Sequence, residues 1–133
     1  VPLAGEKVRA SDIGDIEEDT SDAGITLSAS YQTVLSVVLG VGVWWVIGKV
    51  RMTGGAGSGV KQQLAELHDG TSQLDETVAD AEDTNIQRVC LVVQDVVTVT
   101  SGTKTVSLRL KVSAVAGSQT YTTPKLAAIR APS

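Results

Sequence analysis

Residues 34–52 read VLSVVLGVGVWWVIGKVRM, the longest apolar run of the chain and the one that holds both tryptophans, Trp44 and Trp45. How it folds decides the class of the whole protein. No charged residue occurs from Ile25 to Gly48, and an uncharged segment of that length can span a bilayer as a helix. Three features oppose that reading. β-Branched residues dominate, Ser, Thr, Gln and Tyr interrupt the first half, and Gly40 and Gly42 would each cost roughly 1 kcal/mol in a helix interior. Two strands, 33–39 and 43–52, are the better expectation, with Gly40-Val41-Gly42 as the turn of a tight hairpin. Alternation then sends Trp44, Val46, Val50 and Met52 to one face and Trp45, Ile47, Lys49 and Arg51 to the other. That second face begins apolar and ends charged. Two explanations stay open at this level: part of it meets a partner subunit, or Trp45 lies beneath a loop.

The rest of the chain gives that core its cover. At 133 residues and 13.8 kDa it fits one domain, large enough to bury a core without disulfides or metals. Phe is absent and aromatics are 3%, so Val, Leu and Ile must fill the interior, which favours strands. The net charge of -4 and scattered Lys and Arg argue against nucleic acid as a partner, since a phosphate backbone needs a basic patch. Cys90 is the single cysteine. It excludes an intrachain disulfide and, in an apolar run, reads as a small core residue. No basic-then-apolar leader opens the sequence, so export by a signal peptide is not expected.

Residues 1–23 differ from the remainder, with a proline, two glycines and a run of acids. They are expected to form an arm outside the sandwich, because Leu3, Val8, Ile13 and Ile16 are too sparse for a sandwich strand; the plainer alternative is a frayed terminus. Thr53 to Gly59 carries four glycines in seven positions and reads as a loop. Residues 60–68 have partly helical spacing, yet Asp69-Gly70 is a strong hairpin-turn signal, which tips them toward a strand. Residues 76–85 carry four acids and read as a solvated loop. Residues 86–100 are rich in strand formers with an interruption at Gln94-Asp95, and Val89, Leu91 and Val93 oppose Cys90 and Val92, as in a strand buried on both faces. The clearest alternation follows the Ser101-Gly102 turn: Val106, Leu108, Leu110 and Val112 inward, Thr105, Ser107, Arg109 and Lys111 outward. A closing strand runs from 126 to 130. About eight short strands without a convincing helix make an all-β sandwich.

Catalytic constellations are missing from this pattern. His68 is the sole histidine, so neither a histidine metal cluster nor a Ser-His-Asp arrangement can be assembled in one chain. The carboxylates concentrate in 12–22 and 75–83, where nothing fixes their separation for acid–base work. The expectation is a non-enzyme with no catalytic residue, metal or cofactor.

One resemblance adds to this reading. The order Ala4-Gly5-Glu6-Lys7-Val8-Arg9-Ala10-Ser11-Asp12, then Trp44-Trp45-Val46-Ile47, Asp69-Gly70-Thr71, the 106–112 strand and Lys125-Leu126-Ala127-Ala128-Ile129-Arg130 resembles small virion proteins of tailed bacteriophages. In that family an N-terminal arm precedes a jelly-roll-like β-sandwich, commonly trimeric. The resemblance implies an attachment arm over 1–23, with Leu3, Val8, Arg9 and Ile13 meeting the major capsid protein, and a sandwich over 24–133. It further implies a homotrimer, and the two-faced apolar strands around Trp45 and Val92, which a lone sandwich would leave partly wet, give Trp45, Ile47 and Val92 as the expected oligomer interface. The role implied is a capsid decoration protein on the virion surface, assembled in the host cytoplasm, with neither nucleic acid nor membrane as partner. A tail-fibre or head-fibre module that binds a host or glycan is the alternative.

Overall fold

The strand predicted from the clearest alternation buries its whole inward face. Val106, Leu108, Leu110 and Val112 are each fully buried, while Thr105 is exposed and Ser107, Arg109 and Lys111 are half-buried. The same period of two recurs along the chain in a computed structural model that describes residues 16–20, 28–54, 62–80, 87–112 and 120–132. Its strands are β1 (Ile16–Thr20), β2 (Gln32–Leu39), β3 (Gly42–Gly54), β4 (Gln62–His68), β5 (Gln73–Asp80), β6 (Gln87–Val99), β7 (Lys104–Val112) and β8 (Thr120–Arg130). They form two four-stranded antiparallel sheets, β1-β8-β3-β6 (sheet I) and β2-β7-β4-β5 (sheet II). This is the strand order of an eight-stranded jelly roll, and the all-β sandwich expectation holds.

The core lies between the sheets. Trp44, Val46, Val50 and Met52 of β3, with Leu91, Val93, Val97 and Val99 of β6, meet Leu35, Val37, Leu39, Leu67 and the inward residues of β7. Gly48 is the missing side chain in that layer: a Cβ there would lie 3.1 Å from Leu108 Cδ1 and 3.3 Å from Val93 Cγ2. A glycine in a strand interior weakens the strand, and here it makes room for a leucine from the opposite sheet.

Several expectations change once the strands are paired. Residues 40–42 do not close a hairpin, because β2 pairs with β7 in one sheet and β3 with β6 and β8 in the other. They form a corner between sheets, where Gly42 has a φ of 145° and Trp44 Nε1–H donates to the Gly40 carbonyl at 2.9 Å. Ser101-Gly102 is a second corner of this kind, with Gly102 at a φ of 65°. The Asp69-Gly70 signal, by contrast, marks a true hairpin between β4 and β5, and residues 62–68 are a strand. Asp69 Oδ1 accepts from the Thr71 and Ser72 amides at 2.9 and 2.7 Å. Those two backbone bonds hold its carboxyl below the usual carboxylate range. Residues 76–80, expected in a loop, belong to β5, whose acids alternate outward or lie along the rim. Gln94-Asp95 does not interrupt β6, which pairs with β3 without a break. Cys90 is exposed rather than buried, since only one side of β6 faces the core.

Ile16–Thr20, part of the stretch expected to lie outside the sandwich, is instead the edge strand of sheet I, paired with β8. Of its five residues only Asp19 is half-buried and the others are exposed, so this edge strand needs no apolar alternation. Residues 21–27, which contain the expected boundary, lie outside the described residues. Pro124 sits within β8, where a missing amide is costly in a regular ladder. The register there steps from Lys49↔Lys125 to Arg51↔Thr122, so β8 carries one extra residue, and Thr123 takes a φ of 48°. The bulge accommodates the proline.

Candidate interaction surface

Strand pairing turns the outward residues of sheet I into rows. Ile16 of β1 faces Ile129 of β8, Ile129 faces Trp45 of β3, and Trp45 faces Val96 of β6. The row is apolar from one edge of the sheet to the other, and its members are 49%, 37%, 47% and 61% exposed. On one side of it lies Val43, 44% exposed, beside Ala131, whose amide donates to the Val43 carbonyl at 2.8 Å. A shallow depression of about 320 Å³ opens there, lined by Val43, Trp45, Val96, Ile129, Ala131 and Pro132 among others. On the other side, Ile47 and Ala127 are half-buried between Gln94 and Glu18. Trp45 Nε1–H donates to Gln94 Oε1 at 3.2 Å, which lays the indole against the sheet. Beyond Ile47 the face turns basic: Lys49 is paired across the ladders with Lys125 and with Val92, and Arg51 with Cys90.

Trp45, Ile47 and Val92, the residues expected at an oligomer interface, therefore share one face, with Val92 42% exposed and two rows from Trp45. Trp44 is buried at 2%, as alternation requires. Leu3, Val8, Arg9 and Ile13 of the expected arm lie outside the described residues. Ile16, Val96 and Ile129 were missed as members of the surface. Each is an ordinary apolar residue in its own segment, and only the register brings them into line with Trp45.

The outer face of sheet II is built differently. Glu66 of β4 stands opposite both Glu76 of β5 and Arg109 of β7. Like charges directly across a ladder repel. Here they are bridged: Gln73 Nε2 donates to Glu66 Oε2 at 2.7 Å and to Glu76 Oε2 at 2.9 Å, and Arg109 Nε lies 3.3 Å from Glu66 Oε1. The Tyr31 hydroxyl donates to Glu76 Oε2 at 2.5 Å, and its ring receives Lys111 at 4.5 Å and Arg109 at 5.6 Å. Burial, then the bond to the Glu76 carboxylate, push the Tyr31 phenol well above its usual value. Glu66, only 3% exposed, thus has its charge met inside the protein, and this network reads as structural. His68, half-buried beside the turn, accepts through Nδ1 from the Gly70 amide at 3.0 Å. No group of three or more His, Cys, Asp or Glu that could hold a metal ion occurs among the described residues.

The edges of the sandwich are tied by side chains. Asp19 of β1 accepts from the Ser36 amide of β2 at 3.0 Å, joining sheet I to sheet II along one side. Asp75 of β5 accepts from the Gln94 amide of β6 at 2.8 Å, and the Thr77 hydroxyl donates to the Val92 carbonyl at 2.5 Å, joining them along the other.

No protein-family model and no curated protein matches the chain. Solved structures share its fold. Eiger TNF from S. frugiperda superposes with a TM-score of 0.57 at 6% identity, over 89% of this chain and 92% of that one. VP2 of infectious bursal disease virus, in a subviral particle, gives 0.55 at 13% identity over 99% of this chain, and the structure of the Gx strain of that virus gives 0.52 at 15% over 98%. The present chain spans 38% and 37% of the lengths of the two viral chains. At these identities the likeness is one of fold.

Proposed function

We propose that this chain is a structural virion protein without catalytic activity, one that coats a capsid as a decoration protein of the tailed-bacteriophage kind. It self-associates, as a homotrimer, through the outer face of sheet I. The observation that carries this reading is the row Ile16–Ile129–Trp45–Val96, exposed across the full width of a four-stranded sheet. A contiguous apolar patch of this kind on a soluble sandwich marks an interaction site. Support for a virion setting comes from the fold shared with VP2 of infectious bursal disease virus, which forms a subviral particle. Sheet I carries the self-contact, while Leu3, Val8, Arg9 and Ile13 serve attachment to the major capsid protein at the virion surface, after assembly in the host cytoplasm.

Two measurements test the reading. Light scattering on purified protein at micromolar concentration should give three chain masses, and a monomer would remove the self-association. Removing residues 1–15, which leaves β1 in place, should keep the oligomer and abolish binding to capsids. Full capsid binding by the shortened chain would remove the arm. One observation favours the fibre alternative: Trp45 is a half-exposed aromatic with a polar neighbour, Gln94, at hydrogen-bond distance, which suits stacking on a sugar ring. Abundance separates the two roles. A decoration protein should approach the major capsid protein in copy number, and a fibre module should fall far below it.

A further inference from the structure

The apolar row occupies only part of the outer face of sheet I, and the remainder is cationic. Lys49 and Lys125 stand directly opposite each other on β3 and β8, and Arg51 lies one row further along β3. All three are exposed or solvent-facing, and none has an ion pair among the described residues. The carboxylate that comes nearest in register is Glu18, opposite Ala127 and so diagonal to Lys125, and it forms no ion pair with it. Four other cations are engaged: Lys104 with Asp69 at 3.5 Å, Arg109 with Glu66 at 3.3 Å, Lys111 over Tyr31, and Arg130 over Trp44 at 5.8 Å. Two like charges directly across a ladder destabilise the fold that holds them. Sheet II relieves its Glu66–Glu76 pair with Gln73, whereas sheet I leaves its Lys49–Lys125 pair unrelieved.

Given the self-association proposed above, on which this step rests, we infer that the cationic rows are the second half of the same interface. The whole outer face of sheet I, apolar and cationic together, receives an acidic surface of a second copy of this chain. Charge balance supplies the complement. With Lys49, Arg51 and Lys125 set aside, the chain keeps eight Lys and Arg against fifteen Asp and Glu, a balance of -7, so the other surfaces of a neighbouring copy are acidic on average. Area points the same way. Four strands at about 4.8 Å and rows about 6.8 Å apart make the Val43 to Ile47 rows roughly 300–400 Å² per copy. A two-fold contact through those rows alone would bury about 600–800 Å² in total, the size of an incidental contact. Sliding the axis to include the lysine rows would set cations on cations or on the apolar row. Using the face from Val43 to Arg51 raises the total to roughly 1,000–1,300 Å², which requires a different, acidic patch on the partner, as in a cyclic assembly.

The test is charge reversal. Lys49→Glu with Lys125→Glu should take the oligomer from three chain masses to one at a concentration where wild type is assembled, with unchanged far-ultraviolet circular dichroism. The neutral pair Lys49→Gln and Lys125→Gln should weaken assembly in the same direction. Raising salt from 0.1 to 1 M, which shortens the Debye length from about 10 to about 3 Å, should dissociate wild type. Cys90, exposed in the row of Arg51, provides an independent readout: its thiol should react with a maleimide more slowly in assembled wild type than in the reversed variant. A trimer that survives both reversal and salt, with Cys90 equally reactive, overturns the inference and leaves the self-association reading intact. A wild-type monomer overturns both.

Discussion

Trp44 and Trp45 are adjacent in sequence and opposite in environment, so truncating each in turn measures the core and the surface with one chemistry. Trp44 is 2% exposed, its indole N–H donates to the Gly40 carbonyl at 2.9 Å, and the Arg130 guanidinium lies 5.8 Å from its ring. Trp44→Ala opens a cavity between the sheets, a change that costs about 3–5 kcal/mol. Loss of the ring beneath Arg130 adds about 0.5–1 kcal/mol, and Gly40, half-buried at the corner, can exchange its lost donor for water. With a urea dependence of about 2 kcal/mol per molar for a chain of this size, the midpoint should fall by about 2 M. Trp45→Ala, at a site 47% exposed, should change the stability of dissociated protein by no more than about 0.5 kcal/mol, about 0.25 M in midpoint. Its effect belongs to assembly instead: the wild-type midpoint should rise with protein concentration, and that of Trp45→Ala should not. Urea titrations of both variants at two concentrations, followed by circular dichroism, decide it. Equal midpoints for Trp44→Ala and wild type would refute the assignment of the inward face.

Three further outcomes are expected. Tyr31 and Tyr121 are the two tyrosines, and burial raises both phenols above the usual value of about 10; a group whose folded pKa is raised contributes stability that is complete below the unfolded value and lost as pH climbs through the folded one. Absorbance at about 295 nm should therefore show less phenolate at about pH 10 in folded protein than in the unfolded chain, and equal ionisation of both tyrosines in the two states would contradict the burial. Gly48→Val should destabilise by about 1–3 kcal/mol through overpacking against Leu108 and Val93, lowering the melting temperature by several degrees; an unchanged melting curve would show that the two sheets can yield. Asp75→Ala should cost about 0.5–1.5 kcal/mol and speed hydrogen exchange at the Gln94 amide, which loses its acceptor; unaltered protection at Gln94 would mean that Asp75 does not cover this edge.

What could be read from sequence depended on whether the deciding interaction was local. The period of two from 106 to 112 and the split of Trp44 from Trp45 follow from one strand alone, and both hold. The Asp69-Gly70 hairpin is equally local, since its turn residues satisfy their own amides. Gly40-Val41-Gly42 carries a comparable glycine signal, but the choice between hairpin and corner is made by β7, β6 and β8, far along the chain. Cys90 and Val92 were expected to be buried because their neighbours are apolar, an inference that counts residues without knowing how many sheets cover the strand. The acids of 76–80 suggested solvent and a loop, yet an edge strand is also solvated and keeps its alternation. The apolar row was invisible for a stronger reason. Its four members come from residues 16, 45, 96 and 129, and nothing short of the register relates them.

The location of that row gains meaning from how the edges are treated. An exposed edge strand offers unpaired amides and carbonyls to any passing strand, and native sheets blunt such edges. Here Asp19 and Asp75 accept edge amides from the opposite sheet, and Thr77 donates to an edge carbonyl, so both flanks of the sandwich are tied by side chains. Strand addition is thereby disfavoured on either side. The outer face of sheet II carries its own Tyr31–Glu76–Gln73–Glu66–Arg109 chain of bonds, and it also exposes Val38 and Val78. Sheet I alone combines exposed apolar side chains with cations that have no partner among the described residues. With both flanks tied by their own side chains, the self-association proposed above falls to the apolar and cationic face of sheet I, and the opposed Lys49 and Lys125 select an acidic surface of the neighbouring copy as what that face receives.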